Sequence, residues 1–167
     1  MRQRFLLLGA AVLGLLSVAA ACSGGENDSA APTATEASVP TEDPDVDEVR
    51  VRLFEWSFDP SVDSVPAGSI TFQADNSGLL THELKIVRTA IAANELPALD
   101  DGSVDEDAEG IEVVGALLDI REGRSDSGTF ELEAGSYVLL CNIVEEKDTG
   151  TDVHYKLGMV VDFTVTE

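Results

Sequence analysis

Two runs decide the fold: Tyr137-Val138-Leu139-Leu140-Cys141 and, after a hydrophilic excursion, His154-Tyr155-Lys156-Leu157-Gly158-Met159-Val160-Val161-Asp162-Phe163-Thr164-Val165. Successive side chains of an extended chain point to opposite faces. Tyr137, Leu139 and Cys141 therefore share one face, and so do Met159, Val161, Phe163 and Val165. Upstream, His82-Glu83-Leu84-Lys85-Ile86-Val87 aligns His82 with Leu84 and Ile86 in the same way. Three core-facing rows thus end in an imidazole, a thiol and a thioether. Rows of this kind, meeting at one end of a sheet structure, make a site between its loops.

The rest of the chain carries the same period. Val49 to Phe58 alternates apolar with charged residues as a strand ended by Asp59-Pro60, with Trp56 and Phe58 expected in the core. Val65-Pro66-Ala67-Gly68 reads as a turn, and Ser69 to Ala74 as the next strand, closed by Asp75-Asn76-Ser77-Gly78. Helical periodicity is nearly absent. Short alternating runs separated by Gly and Pro turns predict an all-β antiparallel sandwich. The acidic run from Asp100 to Asp107 lacks the spacing of a calcium-binding loop and reads as a solvated loop.

The donors at the row ends are scarce. His82 and His154 are the only histidines, Met159 is the only methionine besides Met1, and Cys141 is the only cysteine besides Cys22. Each has an ordinary reading when taken alone: a rim histidine, a small buried thiol, core filler. Taken together, in chain order and strand parity, two imidazoles, a thiolate and a weak thioether are the donors that suit one copper ion cycling between two oxidation states. Asn76 and Asn142 are expected to brace the ligand loops through hydrogen bonds. With both histidines in the ligand set, no residue remains for general acid–base catalysis near neutral pH. No nucleophile–base pair or phosphate-cradling glycine loop is present either, so the chain does not read as an enzyme.

The N-terminus gives an address. Residues 1–21 have a basic start, an apolar stretch from Phe5 to Val18 and small residues Ala19-Ala20-Ala21, the pattern of an export signal. Ser17-Val18-Ala19-Ala20-Ala21-Cys22 also resembles a bacterial lipobox, which makes Cys22 the expected acylated residue. Residues 22–47 are Ser-, Ala-, Thr-, Pro- and acid-rich, too poor in bulky apolar residues to bury a core, and read as an acidic tether. Residues 48–167 are left as one domain. The expected location is the outer face of a bacterial cell membrane through the lipid anchor, or the periplasm or exterior if Cys22 is not acylated. With Cys22 acylated, Cys141 has no disulfide partner in an oxidising compartment, which leaves it buried and inert or a ligand. A formal net charge of −22 excludes nucleic acid and anionic lipid surfaces as partners.

Several stretches together resemble the cupredoxins, the blue copper proteins of the plastocyanin and azurin type. They are Phe58-Asp59-Pro60, Val65-Pro66-Ala67-Gly68-Ser69-Ile70-Thr71-Phe72, Asn76-Ser77-Gly78 leading to His82-Glu83-Leu84, Glu133-Ala134-Gly135-Ser136-Tyr137 entering Cys141, and His154 to Met159. The resemblance implies a two-sheet Greek-key sandwich with copper held by His82, Cys141, His154 and Met159, and an electron carrier as the activity. It also implies that His154 is the ligand nearest solvent, through which electrons pass. The His-x4-Met spacing matches the plastocyanin pattern. One departure is large: 12 residues separate Cys141 from His154, where the family has a few. Each doubling of loop length adds only about 0.6 kcal/mol of closure cost, so the excursion is compatible with the site. Its acids Glu145, Glu146, Asp148 and Asp152 fall beside the site's mouth and point to a redox protein partner with a basic docking surface. Two other functions use the same residues: copper storage or delivery, and a cupredoxin-like module that holds no copper.

Overall fold

The computed structural model describes residues 48–167, and the expectations for the export signal, Cys22 and the acidic tether lie outside them. Alternation of buried and exposed side chains builds the strands. β1 (Glu48–Phe54) buries Val49, Val51 and Leu53 and exposes the arginines between them. β2 (Ser57–Pro60) and β3 (Ser64–Pro66) are short, and β4 (Gly68–Asn76) buries Ile70, Phe72, Ala74 and Asn76. β5 (His82–Arg88), β6 (Glu112–Ile120), β7 (Ser125–Leu132) and β8 (Gly135–Leu140) follow. β9 (Val144–Lys147) and β10 (Gly150–Val153) lead into one helical turn, α1 (His154–Leu157), and β11 (Val160–Thr166) ends the chain.

Two sheets face each other, one in the order β2-β1-β4-β7 and the other β3-β11-β8-β5-β6. The all-β sandwich expected from the sequence is the observed class, but the sheets are mixed. β1 runs parallel to β4, and β3 parallel to β11. Chain crossings from one sheet to the other bring these pairs together, so no hairpin turn reverses them. The stretch from Val49 to Phe58 is likewise a hairpin and not one strand: it turns at Glu55-Trp56, and Pro60 pairs with Val51. Pro60 is tolerated there because β2 is the edge strand of its sheet.

The core between the sheets contains Leu53, Ile70, Phe72, Leu84, Ile86, Tyr137, Leu139 and Phe163, each 2 % exposed or less. Full burial of a side chain of this size contributes about 1.5–3 kcal/mol, so this row offsets the cost of also burying polar ligands at its end. Phe72 stacks edge-on to Phe163 with ring centroids 5.7 Å apart, joining the sheets. Tyr137 donates its hydroxyl proton to the Glu133 carbonyl at 2.7 Å, which pins the turn into β8 and so the strand that carries Cys141. At the open side, β6 and β7 close on each other where the Phe130 ring covers Gly115: a Cβ there would lie 2.4 Å from the ring.

Candidate metal centre

Strand parity delivers three donors to one end of the sandwich. His82 opens β5, Cys141 follows the last residue of β8, and β5 and β8 are adjacent antiparallel strands. His154 starts α1, whose four residues turn the chain so that Met159 returns beside it. Gly158 makes that return with φ +114, a conformation that favours glycine, and a Cβ there would come within 3.2 Å of the Trp56 carbonyl. The Met159 amide donates to the His154 carbonyl at 3.0 Å, and the Cys141 amide donates to the Met159 carbonyl at 3.0 Å. Backbone bonds therefore tie the three downstream residues together.

The side chains converge. His82 Nδ1 and His154 Nδ1 are 3.3 Å apart, and Cys141 Sγ is 3.2 Å from His154 Nδ1. The three donor atoms lie within 4.8 Å of one another, and His82, Cys141, His154 and Met159 are each 0 % exposed. Nitrogens at about 2 Å and a sulfur at about 2.3 Å from one ion would be separated by roughly 3.5 Å in a trigonal plane, so the spacing fits a metal. Two imidazoles and a thiol, with the buried Met159 bound through its backbone to His154 and Cys141, are the donor set of a type 1 copper site. When bound there, copper supplies a one-electron couple.

Burial pushes the Cys141 thiol up to about 12. A coordinating cation reverses that preference, since it deprotonates a thiol ligand outright. Burial also holds both imidazoles below the usual histidine range, and for His154 the charge of His82 adds to the effect. Neutral imidazoles are what a metal needs. The Glu83 amide donates to Cys141 Sγ at 3.5 Å, which orients the sulfur's lone pairs.

Both asparagines brace ligand loops as expected. Asn76 donates to the carbonyls of Leu80 and Ile120 at 2.7 and 2.8 Å and accepts from the Gly78 amide at 2.9 Å, fixing the loop before His82. Asn142 accepts from the Val104 amide at 2.7 Å and donates to the Val104 carbonyl and to Glu106 Oε1. Its own amide donates to Glu83 Oε1 at 3.0 Å, which joins the residue after His82 to the residue after Cys141. The acidic run is thus more than a solvated loop: Glu106 also pairs with Lys85, while Ser103 and Val104 are buried.

Three site features were not read from the sequence. Glu55, in the β1–β2 turn, accepts from the Leu79 and Leu80 amides at 2.6 and 2.8 Å and sits 3.3 Å from His82 Nε2. Burial acts to raise its pKa, but the Leu80 and Leu79 hydrogen bonds, with help from His82, outweigh it and hold the carboxyl below its usual range. Trp56, assigned to the core from the sequence, is half-buried and stands edge-on to the His154 ring at 5.0 Å between centroids. The excursion after Cys141 is a hairpin: β9 and β10 pair from Lys147↔Gly150 down to Val144↔Val153, and the His154 amide closes its base on the Ile143 carbonyl at 3.0 Å. That hairpin covers His154, which is as fully buried as His82, Cys141 and Met159. Its ring is fully buried because Trp56 packs on it and Glu145 of β9 is folded inward, Oε2 lying 3.7 Å from Nε2.

No protein-family model matches the chain, and no curated protein matches it significantly. Solved structures do. A dithionite-reduced auracyanin from Roseiflexus castenholzii superposes with a TM-score of 0.52 at 23% identity, covering 72% of this chain and 98% of its own. Auracyanin A from Chloroflexus aurantiacus, described as a blue copper protein, gives 0.46 at 20% identity over 71% and 99% of the two chains. Rusticyanin from Thiobacillus ferrooxidans gives 0.46 at 17% identity over 72% and 78%. The fold is a cupredoxin-like β-sandwich. The first of these similarities carries that statement, and the donor geometry carries the metal.

Proposed function

We propose that this chain is an exported one-electron carrier built on a single type 1 copper ion. The observation that carries the reading is the convergence of His82, Cys141 and His154 donor atoms within 4.8 Å at a fully buried point. Met159, buried and tied through its backbone to His154 and Cys141, would supply the weak thioether. A closed, buried donor set leaves no position for a substrate, which favours electron exchange over bond chemistry. It also hinders the release that a copper-delivery protein needs. A rigid set of donors, held by β-strands and the Asn76 and Asn142 braces, serves a carrier because little has to move when the ion changes charge.

The partner reading follows from the hairpin. Glu146 and Asp148 are exposed, whereas Lys147 is paired with Asp152 and Glu145. The free acids of the hairpin are therefore Glu146 and Asp148, towards its tip, and they suit a redox protein with a basic docking surface, acting on encounter rate more than on final affinity. Acylation at Cys22 would hold the domain at the outer face of a bacterial cell membrane. Cys22→Ala is expected to shift the protein from membrane to soluble fractions, and a mature-size variant still fractionating with membranes contradicts the anchor. Voltammetry of the copper-loaded protein tests the carrier reading. A reversible one-electron wave is expected, while a colourless protein that surrenders Cu(I) readily to chelators points to delivery.

A further inference from the structure

Each ligand imidazole turns Nδ1 towards its fellow ligands and Nε2 away from them, and each Nε2 faces a glutamate. Glu55 Oε1 is 3.3 Å from His82 Nε2, and Glu145 Oε2 is 3.7 Å from His154 Nε2. The two glutamates come from unrelated places, the β1–β2 turn and the inserted β9–β10 hairpin. Both are mostly shielded, with side chains 28 % and 26 % exposed. Glu55 is held rigidly by two backbone amides, and a Cβ at Gly78 would lie 2.5 Å from its Oε1, so a glycine makes room for it. On the other side, Glu145 Oε2 and His154 Nε2 are both buried without a hydrogen-bond partner. Buried polar atoms rarely stay unpaired, and among the described residues Glu145 is the one carboxylate within 4.0 Å of His154 Nε2. Lys147 lies 3.4 Å from the same Glu145 oxygen, but it is shared with Asp152, so the group as a whole stays negative.

We propose that Glu55 and Glu145 are positioning residues that set the copper centre's reduction potential, each taking the Nε2–H of one ligand imidazole. A carboxylate on Nε2 fixes the proton there, which frees the Nδ1 lone pair for the metal and raises ligand basicity. Two shielded negative charges also favour the ion before it accepts its electron over the ion after, because reduction lowers the positive charge they face. No bond is made or broken in that step: one electron enters from the redox partner. The insertion between Cys141 and His154 thereby serves the site itself, supplying the second carboxylate as it covers the ring.

This inference rests on the type 1 reading above, and the test separates the two. Glu55→Gln and Glu145→Gln keep shape and a hydrogen-bond acceptor while removing the charge. In the copper-loaded full chain each is expected to raise the reduction potential with the thiolate-to-copper band retained, and the double variant to raise it further. Affinity for Cu(II) should weaken more than affinity for Cu(I). Glu145→Asp, which keeps the charge, should move the potential less than Glu145→Gln. In the metal-free protein, nitrogen NMR should find the proton of both histidines on Nε2. A retained band with unmoved or lowered potentials in both Gln variants overturns this inference alone. Absence of the band from the unmodified chain overturns the type 1 reading and this inference with it.

Discussion

Cys141 undergoes the largest protonation change in the site. Its thiol, pushed up to about 12 by burial, must lose its proton to bind copper, whereas the imidazoles are already neutral at pH 7. One proton therefore leaves per ion bound, and apparent copper affinity should rise about tenfold per pH unit between roughly pH 7 and pH 9. Competition titrations against a chelator of known affinity read this slope, and a flat profile contradicts the thiolate ligand. Both histidine pKa values are lowered in the fold. As the pH falls below about 6.5 the unfolded chain takes up protons first, so the metal-free domain loses stability there. Met159 makes a different prediction. A long axial thioether tunes the couple and does not hold the ion, so Met159→Leu should keep copper and raise the potential. Complete loss of copper would make Met159 an essential ligand, and an unchanged potential would remove it from the set.

Between residues and fold stand the strands and turns, and here sequence and structure diverge in instructive ways. His82, Leu84 and Ile86, and likewise Tyr137, Leu139 and Cys141, were legible because each trio shares one strand face, and all six are buried; the opposite face of the same strands is buried too, with Val87, Val138 and Leu140 in a second apolar cluster. The site was legible because its donors are the only candidates in the described chain. The β1–β2 turn was not, since Glu55-Trp56 contains no glycine or proline to mark it. The β9–β10 hairpin was hidden for another reason: β9 has no fully buried residue and β10 buries only Val153, so no apolar rhythm records them. Its consequence, a buried His154, could not be read from chain order. Glu55 lies 27 residues from His82 in sequence, and only the fold reveals that contact. Elsewhere the close approach of β6 and β7 depends on Gly115. Gly115→Ala forces a methyl against the Phe130 ring and should destabilise the domain by about 1–3 kcal/mol in denaturant unfolding, leaving the copper spectrum unchanged. An unaltered midpoint would show that the ring gives way freely.

At the scale of the molecule, charge and fold divide the work. The sandwich places a buried donor set at one end, and the whole sequence carries a formal net charge of −22. If Glu146 and Asp148 guide a basic partner, electron-transfer rates should fall steeply with ionic strength, since screening shortens the reach of surface charge to about 8 Å at physiological salt. Glu146→Gln with Asp148→Asn should flatten that dependence without moving the potential, whereas the inward Glu145 should behave in the opposite way. A rate indifferent to both salt and the substitutions removes the docking role. The central claim is that Cys141, His82 and His154 hold copper as a thiolate–imidazole centre. The visible absorption spectrum of the Cu(II)-loaded protein, compared with that of Cys141→Ser, tests it most directly. An intense thiolate-to-copper band that vanishes in a still-folded Cys141→Ser is the predicted result, and full colour in that variant, or none in the unmodified protein, contradicts the account.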